Sequence, residues 1–133
     1  MSNTQQDEIE SVDFYAAIQA HVLWRVRLEA YVNGTSDEEL NPNTVGRDDC
    51  CALGKWIYGA GGKHFGTHPR FPDLKEVHAC FHKAAGEVVR CVDSGNIEQA
   101  RKLLLQGDYT TCSHRVKTHL TKLGLESGTS AAN

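Results

Sequence analysis

Three stretches of the chain carry apolar residues at helical spacing. From Ile9 to Val32 the positions Ile9, Val12, Tyr15, Ile18, Val22, Val26 and Leu28 recur every three or four residues, and Asn33-Gly34 supplies a stop. A second stripe, Val77, Phe81, Ala85, Val88 and Val92, follows Pro72, a residue suited to the first position of a helix. Ser94-Gly95-Asn96 closes that helix and opens a last one near Ile97. Its inner positions are Ala100, Leu103, Leu104, Val116, Leu120 and Leu123, with Gly107 as a weak point. All three prolines, Pro42, Pro69 and Pro72, fall in one central region and leave the flanking segments free to be long helices.

Asp48 or Asp49 can cap a short helix over residues 50–58. The preceding TSDEELNPNTVGRDD reads as a loop with a short helical turn. GAGGKHFGTHPRF reads as irregular, with Gly59–Gly62 ending the short helix. The alternation that marks strands is missing throughout. The pattern therefore predicts an all-α protein: a four-helix bundle of three long helices plus the short one. One domain is expected over residues 9–125, with residues 1–8 and 126–133 disordered.

Composition narrows the function classes. The 133 residues carry a net charge of −3, which argues against binding phosphate backbones through basic surface. No apolar run approaches the roughly 20 residues needed to cross a bilayer, and the polar, acidic opening is no secretory or transit signal. A cytoplasmic location with no membrane insertion is expected. Five cysteines make an odd count without framework spacing, so buried thiols, metal ligands or redox centres are expected rather than structural disulfides.

The candidate chemistry lies in four residues. His78 and His82 stand four apart, on one face of the predicted helix, where they either share a metal or form a polar surface pair. His21 lies in the apolar first segment, as a ligand or as a satisfied core imidazole. Cys51 opens the short helix, as a helix-end thiolate or as a small buried hydrophobe. Together, one thiolate and three imidazoles make a complete donor set for tetrahedral Zn2+, and helices of a bundle are the usual frame for such a core site.

These residues sit in three linked motifs: His21-Val-Leu-Trp24, Cys51-Ala-Leu53-Gly54-Lys-Trp56 and His78-Ala-Cys-Phe-His82, separated by 26 and 21 residues. In that order and spacing the chain resembles the chemoreceptor zinc-binding (CZB) domain of bacterial signalling proteins. The resemblance implies that His21, Cys51, His78 and His82 are the zinc ligands, that Gly54 permits close helix approach, and that Trp24 and Trp56 wall the site from water. It further implies a sensory role, with zinc occupancy adjusting a diguanylate cyclase or chemoreceptor in cis or in trans, and with ligand-cysteine oxidation reporting hypochlorous acid or related oxidants. A homodimer is expected. The acidic opening (Asp7, Glu8, Glu10, Asp13) and basic final helix (Arg101, Lys102, Arg115, Lys117, Lys122) are compatible with antiparallel docking as well as with solvated surface.

Cys50 falls outside the motif. Cys80 lies between the two histidines but nearly opposite them around an ideal helix, so it points elsewhere. Cys91, Cys112, His64, His68, His114 and His119 are expected to serve packing or surface roles. Four protein ligands leave no open metal position, so no enzyme is expected. Ala79 follows His78 where a zinc peptidase needs glutamate. A di-iron bundle would need Glu-x-x-His pairs, and Glu76 stands only two residues before His78. The alternative to a sensor is a structural zinc bundle serving as a protein interaction module.

Overall fold

The computed structural model describes residues 14–126. It contains seven helices and no strand in that range: α1 (Phe14–Asn33), α2 (Pro42–Val45), α3 (Ala52–Ile57), α4 (Ala60–Phe65), α5 (Arg70–Asp93), α6 (Ile97–Gln106) and α7 (Asp108–Glu126). The all-α bundle expected from the sequence is what forms. The expected disordered segments lie outside the described residues, save for Glu126 at the end of α7.

Two of the long helices end by the same device. Gly34 (φ +75) and Gly95 (φ +86) take the left-handed conformation that other residues resist, and each turn is closed by a pair of backbone bonds. Thr35 N–H donates to the Ala30 carbonyl and Gly34 N–H to Tyr31; Asn96 N–H donates to Cys91 and Gly95 N–H to Val92. Asn96 then caps α6 by accepting from the Gln99 N–H. At Gly107 the backbone turns extended, so the single last helix expected from the sequence is divided into α6 and α7.

Helix α5 is the central element and packs on α1, α2, α6 and α7. Val77, Phe81, Ala85 and Val88 are buried as expected, and they meet Ala100, Leu104, Val116, Leu120 and Leu123. Helix α1 buries Leu28 as expected but departs from expectation over the rest of its exposed stripe. Its most regular stripe faces outward: Tyr15 is 71% exposed, Val22 38% and Val26 56%. The buried positions are Ala17, His21, Leu28 and Val32. The helix is apolar on nearly all sides, so periodicity did not single out the inner face.

Two further expectations are corrected. The short helix does end before Gly59, as expected, but the stretch that follows is not irregular throughout, because α4 forms over Ala60–Phe65. Gly61 lies against the Trp56 ring, where a Cβ would come within 2.6 Å of Cε3, so packing rather than chain breaking calls for glycine there. Cys80 does point away from the histidines, but Cys80 and Cys112 form a disulfide that joins α5 to α7, with Cα atoms 6.1 Å apart.

Candidate metal centre

His21, Cys51, His78 and His82 converge, with one donor atom from each lying within 4.8 Å of all the others. The three histidines are buried at 2%, 0% and 2% exposure, whereas Cys51 is half-buried.

Each donor is positioned by local structure. His21 donates from Nδ1 to the Ala17 carbonyl one turn back (2.8 Å), which leaves Nε2 without a proton and, in this structure, without a hydrogen-bond partner. His82 donates from Nδ1 to the Val45 carbonyl (3.0 Å), so its Nε2 is likewise a bare donor atom. That carbonyl is held in place by α2. Asn41 caps α2 by accepting from the Asn43 and Thr44 N–H groups, and Pro42 pre-sets its first turn. Gly86 lets α2 lie directly on α5, since a Cβ there would stand 2.9 Å from the Pro42 carbonyl and 3.0 Å from Gly46 Cα.

Cys51 is the N-cap of α3, and its Sγ accepts from the Gly54 N–H at 3.3 Å. Gly54 is needed for a reason different from the one expected. A Cβ there would strike the Asp48 carbonyl, so the glycine admits the chain's own loop leading into Cys51 rather than a second helix. Trp24 borders the centre, its ring 6.4 Å from that of His82. Trp56 instead packs against Phe14, Phe65 and Phe71, and so anchors α3 in the core.

The spacing of the donors fits tetrahedral zinc. His78 Nε2 lies 3.1 Å from His82 Nε2, and Cys51 Sγ lies 3.3 and 3.5 Å from the two. Zinc bonds of about 2.05 Å to nitrogen and 2.3 Å to sulfur give tetrahedral edges of about 3.4 and 3.6 Å. Three donors thus stand near the edge lengths of such a tetrahedron, and His21, whose buried Nε2 has no hydrogen-bond partner, brings a fourth donor within 4.8 Å of them. The electrostatics agree. Burial pushes all three imidazoles below their ordinary range, His78 to about 2 with help from His82 and His21, so they are neutral and ligand-ready. Burial also raises the Cys51 thiol, outweighing the helix-end N–H groups that favour a thiolate. A bound dication would supply the missing stabilisation of the thiolate.

Comparison with protein-family models matches residues 21–89, over half of the chain, to the chemoreceptor zinc-binding domain. The chain belongs to the CZB family. The match opens on His21 and encloses all four donors. No curated protein and no solved structure matches in the corresponding searches. The CZB domain binds zinc, and the cluster described here suits it.

The cluster holds no carboxylate, which leaves a di-iron site without the ligands it needs. His64, His68, His114 and His119 stand outside it. Sequence reasoning missed the two carbonyls that orient the imidazoles. That of Ala17 is recoverable from its i−4 position, but that of Val45 is 37 residues from His82 and depends on α2 docking. Two openings reach Cys51. One, about 470 Å³, is bordered by Trp24, Arg27, Cys50 and His82. The other, about 270 Å³, lies between α1 and α3 and is lined by Ala16, Ala20, Trp24 and Leu53.

Proposed function

We propose that this chain is a zinc-dependent sensory domain, occupying residues 9–125, in which one Zn2+ is held by His21 Nε2, Cys51 Sγ, His78 Nε2 and His82 Nε2. The observation that carries the ligand assignment is the buried, unpartnered His21 Nε2 beside a Cys51–His78–His82 triangle with near-tetrahedral edges. Four protein donors saturate the ion, so its role here is to hold helices together rather than to activate water or substrate. His21 ties in α1, His78 and His82 tie in α5, and Cys51 ties in the start of α3.

The reading extends to a signal. Cys51 is the half-buried donor and is reached by both openings, so it is the ligand that an oxidant meets first. Hypochlorous acid would take two electrons from the thiolate. Its oxygen would end on sulfur as a sulfenic acid, and chloride would leave. Losing the single sulfur donor weakens the site and frees the Asp48–Ala52 segment to move. The output is a diguanylate cyclase or chemoreceptor, attached or separate, in the cytoplasm. The outward apolar stripe of α1 (Tyr15, Val22, Val26, with Leu23 beside it) supports a homodimer as the signalling unit. No described helix is long and apolar enough to cross a membrane.

Elemental analysis of the purified protein should find about one zinc per chain, as a four-ligand site requires. Cys51→Ala and His82→Ala should each lower its retention in a chelator wash. Undiminished zinc after substitution of all four donors would overturn the ligand assignment. Chelator competition before and after hypochlorous acid separates a sensor from a structural zinc module. Faster zinc loss after oxidation supports the sensor, and an unchanged rate supports the interaction module.

A further inference from the structure

The Cys80–Cys112 bond lies outside the metal cluster and has no part in the function proposed above. Cys80 occupies the α5 turn between His78 and His82 but faces α7, where Cys112 meets it. The two residues differ in exposure. Cys80 is half-buried, whereas Cys112 is only 6% exposed. The helices they join are held together independently of the bond. Phe81 and Tyr109 pack with ring centroids 5.1 Å apart, and Val116 and Leu120 are fully buried against the same core. With the bond open, the two thiols would therefore stay side by side, ready to close again. Cys50, Cys51 and Cys91 remain free, so the fold keeps thiols and a disulfide together in one molecule.

We propose that Cys80 and Cys112 form a reversible dithiol–disulfide centre that exchanges with low-molecular-weight disulfides and, when oxidised, staples α5 to α7 without disturbing the metal ligands. In the oxidising direction, the sulfur of Cys80, the more exposed residue of the pair, attacks one sulfur of the small disulfide, forming a mixed disulfide and releasing one small thiol. Cys112 then attacks the Cys80 sulfur, the intramolecular bond forms, and the second small thiol leaves. Two electrons and two protons pass from the cysteine pair to the small disulfide, which ends as two thiols. Reduction by a dithiol runs the same exchange backwards.

The test uses the zinc-loaded wild-type protein, equilibrated with glutathione disulfide or with dithiothreitol, then alkylated and mapped by mass spectrometry. The oxidised sample should contain a Cys80–Cys112 crosslinked peptide, absent from the reduced sample. Zinc per chain should be equal in both. Closing a loop of sequence separation 32 should place the oxidised thermal midpoint of order 10 °C above the reduced one. That difference should vanish in Cys80→Ser and in Cys112→Ser. Should either variant fail to fold, the mapping of the wild-type protein still stands as the test. Free Cys80 and Cys112 thiols after glutathione disulfide would overturn the proposal. So would a bond that dithiothreitol cannot open in the folded protein, or zinc loss accompanying the exchange.

Discussion

Replacing Gly54 by alanine adds one methyl group to α3, three residues after the candidate sulfur ligand. Two effects oppose each other. Alanine is the better helix former by about 1 kcal/mol. Against that, the new Cβ would strike the Asp48 carbonyl oxygen and stand 2.8 Å from its carbon, contacts made with backbone rather than with a flexible side chain. Relief to an ordinary contact needs a backbone displacement of about 1 Å, the kind of shift by which overpacking costs about 1–3 kcal/mol. Metal–ligand distances tolerate only about 0.2 Å, several times less than that displacement. Cys51 caps the same helix, with its sulfur on the Gly54 N–H, so the shift falls on the ligand. Zinc affinity should fall by about ten- to a hundred-fold, the range for disturbing a ligand's supporting contacts. Competition against a chromogenic chelator measures it, with far-ultraviolet circular dichroism confirming that the bundle persists. The exposed neighbour substitution Lys55→Ala should leave affinity unchanged. A Gly54→Ala protein that binds zinc within about two-fold of wild type would mean that the Asp48 loop yields instead, and would refute this account of how Cys51 is placed.

Phe81 is fully buried, with its ring 4.9 Å from that of His21 and 5.1 Å from that of Tyr109, so Phe81→Ala should cost about 3–5 kcal/mol in urea unfolding. A loss under about 1 kcal/mol would show that this centre of the core is loosely packed. Zinc at a hundred times its dissociation constant should stabilise the chain by about 2.7 kcal/mol, and a thermal midpoint unmoved by zinc would exclude a native-state site. The metal-free protein should weaken in acid. Burial holds His21, His78 and His82 below their unfolded value, so below about pH 6.5 the unfolded chain binds protons that the fold refuses. Stability is unaffected above that pH and is lost progressively as pH falls towards the folded values, about 2 for His78. At pH 5.5 the loss should be at most about 1.4 kcal/mol for each imidazole that stays neutral. A urea midpoint equal at pH 7.5 and 5.5 would contradict the burial of the three rings.

The cluster was legible because its chemistry is written in spacings that survive any detail of packing. Histidines four apart share a helix face whatever that helix rests on, and His78 and His82 do so here. The inner face of α1 was legible only in part, at Leu28. Tyr15, Ile18, Val22 and Val26 make the more regular stripe, yet burial goes to the smaller Ala17 and to His21, because the metal cluster and Phe81 lie on that side. Helix α4 was hidden by its glycines, of which Gly61 suits the Trp56 ring rather than a chain break. The Cys80–Cys112 pairing was beyond reach for another reason. It requires knowing that α5 and α7 are neighbours in register, and cysteine spacing alone never gives connectivity.

The donors are unequal in how firmly the fold holds them, and that asymmetry fixes where a response to metal should begin. His21 and His82 are tied by hydrogen bonds to carbonyls, and His78 shares the rigid 24-residue α5 with His82. Cys51 caps a six-residue helix whose far side is clamped in the core by buried Leu53, Trp56 and Ile57. Loss of the metal therefore cannot release α3 as a body. It can release only the N-terminal approach, where Asp48 and Asp49 lead into Cys51, and through the Val45 carbonyl the neighbouring α2. Hydrogen exchange of zinc-loaded and metal-free protein should then differ most in residues 41–54, with little change in α6 and α7. An equal loss of protection across the whole bundle would show that the metal holds the global fold rather than a local latch at Cys51.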